Sequence, residues 1–268
     1  MSGKKRPASP VGDDVKNLFD VEISDGVQKK LEDISADVLR AELITELGSV
    51  KRMEPIYEKR REIVKAIPKF WAVALVNHPE FAPHVQHPDD QKAIATLEDL
   101  WVIRDPAEPR AFSIEFYFGE NPYFSNKVLK KVYKYTPPPA AKDEKPDDDG
   151  ITPSMLDFDW TRDIEPQKTL INWKSNVVNL TKLQPRVVDD DGDVADAGSF
   201  FNYFEREEDP LDIGLLITQS IYPEAINLFT GKYERNLLDE YSEEDEEDED
   251  EAEEIDLEKP EPKKQRKH

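Results

Sequence analysis

A stripe of hydrophobic residues spaced three and four apart predicts a long helix in the first quarter of the chain. Ser24 precedes the stripe and can cap the helix. Pro55 is expected to kink the helix, because proline removes a backbone donor, and Pro68 is expected to end or bend it. The stripe drifts after its first five members, and it comprises Val27, Leu31, Ile34, Val38, Ala41, Leu43, Leu47, Val50, Ile56, Ile63 and Ile67.

The length of this helix predicts a homodimer. Taken as one kinked helix of about 40 residues, it measures about 60 Å at 1.5 Å per residue. The rest of the chain is too small to cover such a stripe, so a second copy packed parallel or antiparallel is favoured. A hairpin within one chain, turning at Gly48 or Pro55, remains the alternative. The predicted dimerisation residues are Val27, Leu31, Ile34, Val38, Leu43, Leu47 and Val50.

Period-two alternation then predicts a sheet. One strand is expected near 100–104, a second at 112–118, a third at 127–135 and a fourth at 169–174. Short apolar helices precede and follow these strands. The fold class is therefore α+β: a long kinked dimerisation helix followed by a four-stranded antiparallel sheet capped by short helices. The alternating apolar residues of the second strand are Phe112, Ile114, Phe116 and Phe118.

Charge is concentrated at the C-terminal end. The formal net charge is -23, and residues 239–258 hold fifteen acidic residues with no Lys or Arg. Acidic runs of this length repel themselves and stay unpacked. The tail therefore differs in kind from the rest of the chain, which carries a charge of only about -8.

Composition divides the chain further. A disordered basic arm is expected at 1–22, the dimerisation helix and a following short helix at 23–78, and an α+β domain at 79–236. Within that domain, residues 136–155 are rich in Pro, Lys and Asp and are expected to be a disordered loop. The last segment, 237–268, is expected to be a disordered acidic tail with a basic end.

Several chemistries are disfavoured. The chain has no cysteine, which removes disulfides, thiol nucleophiles and thiolate metal sites. No secretory signal and no membrane span are predicted. His78, His84 and His87 are close in sequence, but the intervening prolines break the helix that metal-ligand spacing would need, so no metal is predicted. No nucleotide motif occurs, and we expect neither a cofactor nor an enzyme.

Five separated motifs resemble the nucleosome assembly protein family, and they are PIYEKRREIVKAIPKFW (55–71), VNHPEF (76–81), FYFGENPYFSNKVLKKVY (116–133), INWK (171–174) and SFFNYF (199–204). The hairpin and the single acidic tail are most similar to the SET branch, including its fungal SET-like members. The resemblance covers roughly residues 25–235. It implies a homodimer built on the long helix, a four-stranded "earmuff" in each copy, and a histone chaperone function.

The resemblance also implies that core histones are bound at the earmuff. The charge pattern indicates that the acidic tail binds histones as well. The positions carried over to this sequence are Asn202, Glu205, Glu207, Glu208, Asp209 and Asp212. Arg206 departs from the family pattern, in which an acid is usual. The tail residues expected to bind histones are Glu243, Glu244, Asp245, Glu246, Glu247 and Asp248.

Basic residues occur in two settings. The hairpin lysines are expected on a solvated strand face, with weak DNA contact as the sharper hypothesis, and they are Lys127, Lys130, Lys131 and Lys134. The C-terminal cluster predicts nuclear import, with shuttling to the cytoplasm left open, and it comprises Lys263, Lys264, Arg266 and Lys267. As the resemblance to SET implies, regulatory binding to a histone acetyltransferase or a protein phosphatase remains the alternative function.

Overall fold

The computed structural model describes residue 21 and residues 23–106 and 108–233. These residues form two compact units. The arm unit contains the described residues up to Lys51 together with Pro138–Phe158, and the sheet unit contains Arg52–Pro137 together with the described residues from Asp159. This division falls inside the first helix and does not coincide with the predicted boundary near residue 78.

A long helix comes first along the chain, and short helices then flank and separate the strands. The α-helices are α1 (Asp25–Val64), α2 (Phe70–Val76), α3 (Pro88–Ile94), α4 (Pro153–Leu156), α5 (Trp160–Asp163), α6 (Leu180–Leu183), α7 (Asn202–Glu205), α8 (Ile213–Leu215) and α9 (Tyr222–Thr230). The strands are β1 (Leu97–Arg104), β2 (Phe112–Phe118), β3 (Val128–Tyr135), β4 (Ile164–Gln167), β5 (Val187–Val188) and β6 (Val194–Asp196). Short 3-10 helices occur at Ala82–Val85, Pro139–Asp143 and Asn176–Val178, and a π-helix at Leu216–Ile221.

Helix α1 confirms the predicted long helix. It begins directly after Ser24, whose backbone oxygen accepts from the N–H groups of Val27 and Gln28 at 2.8 and 2.9 Å. Pro55 lies inside the helix, which continues to Val64. Lys69, directly after Pro68, has a left-handed backbone with φ 61°. The chain therefore turns at the second predicted proline before α2 begins.

The main sheet has the strand order β1-β2-β3-β4, with every neighbouring pair antiparallel. Phe116 on β2 pairs with Leu100 on β1 and Leu129 on β3. All three side chains are buried, because inward-facing residues of adjacent strands meet on one face. The alternation predicted for β2 thus matches the side of the sheet that packs against the core.

The fourth strand lies earlier than predicted. β4 pairs with β3 from Tyr135 and Ile164 to Val132 and Gln167, whereas residues 169–174 leave the ladder. Thr169 donates its N–H to the Phe204 oxygen at 2.7 Å instead. Since β4 is an edge strand, it tolerates a proline at position 166, and that proline concealed it in the sequence.

Aromatic side chains fill the space between the sheet and α7. The ring of Phe116 meets that of Phe204 edge to face at 5.1 Å. Phe118 contacts Phe124 at 5.1 Å, and Phe124 contacts Phe201 at 5.3 Å. The first two pairs are edge to face, a geometry that adds to the free energy gained from burying the rings. The hairpin is therefore core support, as its alternation predicted.

In the arm unit, residues 138–158 form a segment that we call the clasp. Ile151 and Met155 are buried against Leu43, with Ile44, Leu47 and Leu156 packed around them. Arg40 pairs with Asp147, and its Nη2 lies 2.6 Å from Asp149 Oδ2. The end of the predicted disordered loop is thus held against α1, because a few apolar residues in a polar stretch suffice to fill one side of a helix.

Candidate functional site

The acidic segment implied by the resemblance follows α7, and a buried carboxylate anchors the residues just before this helix. Asp90, in α3, accepts from Ser199 Oγ at 2.7 Å and from the Phe200 N–H at 2.9 Å. Burial raises the pKa of the Asp90 carboxyl above its usual range. With Phe200 and Phe204 also in the core, the chain after α7 leaves the interior at a fixed point.

Two of the predicted histone-binding residues serve the fold. Asn202 is buried and donates its side-chain N–H groups to the backbone oxygens of Gln184 and Ser199 at 3.1 and 3.0 Å. Glu205 accepts from Trp173 Nε1 at 3.0 Å and from Thr181 Oγ1 at 2.7 Å. These contacts tie residues 173–184 to α7, so both side chains have a structural role.

Asp209 also faces inward. Its carboxylate accepts from the Tyr133 hydroxyl and from the N–H groups of Gly214 and Ile213, the last two at 2.8 and 3.1 Å. Asp209 therefore caps the start of α8 in the manner of an N-terminal carboxylate. Gly214 lies so close to Tyr133 that an added Cβ would overlap the ring, which fixes how α8 approaches β3.

Three carboxylates of the predicted set do lie at the surface: Glu207, Glu208 and Asp212. Glu207 pairs with Lys168, Nζ to Oε1 2.6 Å, but both side chains are exposed, and such pairs stabilise a fold little. Asp212 has a left-handed backbone with φ 50°. We call these three exposed residues the acidic patch.

Lys131 corrects the prediction for the hairpin lysines. Its side chain is fully buried, its Nζ donates to the Arg206 oxygen at 2.7 Å, and it faces the Tyr203 ring at 5.2 Å. Burial lowers the pKa of Lys131 to about 8. Lys130 is half-buried and pairs with Glu115 at 3.1 Å, and of the four lysines only Lys127 and Lys134 are exposed. The predicted solvated face therefore lacks Lys131.

The position of His78 is determined by packing against neighbouring segments and not by a metal site. His78 is buried, its Nε2 lies 2.9 Å from Ser220 Oγ, and its Nδ1 accepts from the Glu80 N–H at 3.3 Å. Burial lowers the pKa of His78. Within the described ranges, no three His, Cys, Asp or Glu side chains are grouped as metal ligands.

The outer face of α1 carries apolar side chains that nothing in the described chain covers. The exposed members of the predicted stripe are Val27 (45%), Leu31 (54%), Ile34 (60%), Val38 (50%), Ile56 (53%) and Ile63 (67%). Leu43 and Leu47, predicted for the same seam, instead contact the clasp, and Val50 is half-buried. The seven predicted dimerisation residues therefore do not form one surface.

Comparison with known proteins decides the family. The family model for nucleosome assembly proteins matches residues 64–232. The chain belongs to the nucleosome assembly protein family. This range contains the whole main sheet, the acidic patch and all helices after α1.

Similar proteins include both branches of this family. Nucleosome assembly protein 1;2 of Oryza sativa subsp. indica is 28% identical over 255 residues, which cover 79% of this chain and 66% of the rice protein. Protein SET of Drosophila melanogaster is 27% identical over 213 residues, covering 76% of this chain and 71% of that protein. The match thus spans slightly less than two thirds of the rice protein's length.

Solved structures share the fold of this nucleosome assembly family member. The Vps75 histone chaperone has a TM-score of 0.52 at 20% identity, covering 80% of this chain and 100% of that one. A malaria parasite nucleosome assembly protein has a TM-score of 0.52 at 24% identity, covering 82% and 95%. At these identities the likeness shows the fold.

A further element of this family member, which its sequence motifs did not reveal, is an aromatic cage around Arg60. The guanidinium lies 4.5 Å from the Tyr57 ring centre, 5.2 Å from that of Trp71 and 4.3 Å from that of Tyr222. Its Nη1 also donates to the Tyr222 backbone oxygen. The cage fixes the end of α1 to α2 and α9. Tyr57 and Arg60, three residues apart, were the available signal.

Two sets of predicted residues lie outside the described part of the chain, together with all of the predicted basic arm except residue 21. They are the tail acids Glu243–Asp248 and the import cluster Lys263–Lys267. Among the helices that the structure does describe, none is both long enough and apolar enough to cross a bilayer.

Proposed function

We propose that this chain is a histone chaperone that works as a homodimer in the nucleus. The observation that carries the proposal is the acidic patch, three surface carboxylates on a rigid aromatic core in a chain of net charge -23 that belongs to the nucleosome assembly protein family. Core histones are the cationic partners that such a surface suits. The import cluster at 263–267 agrees with a nuclear cargo.

The acidic tail and the folded surface have different tasks in this proposal. Glu243 to Glu251 are nine successive acids, and an extended chain would carry about one charge per 3.3 to 3.6 Å. Duplex DNA carries one per roughly 1.7 Å. A tail of about half the charge density shields a histone from random DNA contact yet yields it to the nucleosome. Since salt screens the tail, the patch must supply the specificity.

The homodimer follows from the uncovered face of α1. Six aliphatic side chains that are about half exposed or more would be costly to leave in water, and burying each gains on the order of 1 kcal/mol. A second copy brings an identical stripe, as closed symmetric dimers do. The dimer places two acidic patches on one particle, which raises the effective local concentration of binding sites for a histone pair.

One experiment tests these statements together. The mass of the full chain is measured alone and with each core histone pair at two salt concentrations, and a variant lacking 239–258 is measured in parallel. We expect a dimer in every case, histone complexes for the full chain, and for the deletion variant weaker binding with a smaller salt dependence. A monomer, or a dimer that binds no histone at the lower salt, refutes the proposal; binding unchanged by the deletion removes the tail from it.

A further inference from the structure

Arg186, directly before β5, is a buried cation whose donors lack partners. Its side chain belongs to a residue that is only 7% exposed. Among the described residues, nothing accepts a hydrogen bond from its Nε or its Nη1. Arginine stays charged at any pH at which the chain is folded. A buried charge without a hydrogen-bonded counter-charge is costly, because the lost hydration is not replaced.

The backbone that carries Arg186 is held by the segment before α7. The Gln184 oxygen accepts from the Ser199 N–H at 2.9 Å and from Asn202 Nδ2 at 3.1 Å. Gly198, with φ 64°, lies so close that an added Cβ would come within 2.6 Å of the Pro185 oxygen. Since residues 184 and 185 cannot move away, the side chain of Arg186 starts from a fixed position.

Three other basic side chains lie near this guanidinium. Burial, and less strongly the charge of Arg186, lowers the pKa of both Lys131 and His84. Burial, together with the charge of Arg206, lowers the pKa of Arg186 itself. Lys131 is fully buried, and its Nζ donates to the Arg206 oxygen at 2.7 Å. Basic groups from four separate segments are therefore neighbours.

The carboxylates nearby do not balance these cations. Burial outweighs the charges of Asp209 and Glu208, which act in the opposite direction on the pKa of Arg186. The Asp209 carboxylate accepts from Tyr133 and from two backbone N–H groups of α8. The side chain of Glu208 is exposed, and neither carboxylate accepts from Nε or Nη1 of Arg186. Donors therefore outnumber acceptors at this position.

We propose that Arg186 and Lys131, with His84 at the edge, form a binding site for one oxyanion, a phosphate or a carboxylate group. Such a group offers two or more acceptor oxygens, which suit the planar fork of a guanidinium. The site reaches the surface, since His84 is half-buried and Arg206 is exposed. Because the acidic patch begins directly after Arg206, a bound oxyanion offsets the positive charge behind that patch.

Thermal unfolding in inorganic phosphate tests the site. At ten times Kd, a ligand that binds only the folded chain should raise Tm by about 3–6 °C for a chain of this size. We expect this rise for the full chain and its loss in Arg186→Gln. Lys182→Gln is the matched control and should keep the rise, since it removes the same charge from an exposed side chain of the same segment. Phosphate also stabilises proteins in general, so the variants are compared at equal phosphate and equal ionic strength.

The variant lacking 239–258 identifies the source of the oxyanion. A rise that depends on Arg186 in both chains assigns the site to free phosphate. A rise that depends on Arg186 only in the deletion variant assigns it to a carboxylate of the acidic tail, which occupies the site in the full chain. The absence of such a rise from both chains overturns the site.

A comparison without phosphate guards against a variant that is merely misfolded. In the deletion variant, Arg186→Gln should melt no earlier than its parent, because the substitution removes a buried charge that has no counter-ion. A fall of several degrees there, or a failure to fold, shows that the protein itself satisfies Arg186, and it overturns the proposal. No histone enters these measurements, so their outcome is independent of the proposed function.

Discussion

Replacing Asp209 should weaken the fold, although the family resemblance placed this residue among the histone contacts. Its carboxylate accepts from Tyr133, Gly214 and Ile213. Asp209→Asn keeps one oxygen and turns an NH2 group toward donors, so at least one charged hydrogen bond is lost at a cost of about 1.5–3 kcal/mol. For a chain of this size each kcal/mol lowers Tm by about 2–4 °C, which gives a fall of about 3–12 °C.

The assay pairs thermal unfolding with histone binding. Glu208→Gln is the control, since it removes a neighbouring carboxylate that is exposed and belongs to the acidic patch. We expect Glu208→Gln to melt like the wild-type chain and to bind core histones more weakly. Asp209→Asn should melt early, and below its transition it should lose less affinity than Glu208→Gln. If Asp209→Asn melts like the wild type and binds as poorly as Glu208→Gln, the assignment of Asp209 to the fold is refuted.

Two further predictions concern groups that packing placed. The folded state lowers the pKa of Lys131 from 10.5 to about 8, so between these pH values the unfolded chain binds more protons than the folded chain. The free energy of unfolding should therefore rise with pH over this range. Denaturant titrations of Lys131→Met should show a smaller rise than those of the wild-type chain, and an equal rise contradicts the burial of this amine. Ile151→Ala removes buried volume beside Leu43, so it should speed proteolysis within 138–158. The control Leu170→Ala changes an exposed side chain and should leave the rate of proteolysis unchanged. Equal rates for the two variants contradict the packing of the clasp on α1.

Local periodicity in the sequence predicted those parts of the fold that depend on a single helix or strand. The three-and-four spacing from Val27 onward is enough to specify a helix, because it places apolar side chains on one side of any helix. The alternation from Phe112 to Phe118 likewise specifies which side of β2 is buried. The acidic run at 239–258 is a property of composition, so it can be recognised without a structure.

Features that depend on a distant partner were decided only by the tertiary structure. Lys131 is buried because Arg206 and Tyr203, more than seventy residues away, accept and cover its ammonium group. Asp209 caps α8 rather than facing solvent because Tyr133 on β3 reaches it. Leu43 left the predicted seam because the clasp, remote in sequence, covers its side of α1. The spacing of apolar residues predicts which side chains share a face of a helix or strand. Which segment packs on that face depends on contacts between parts of the chain that are distant in sequence.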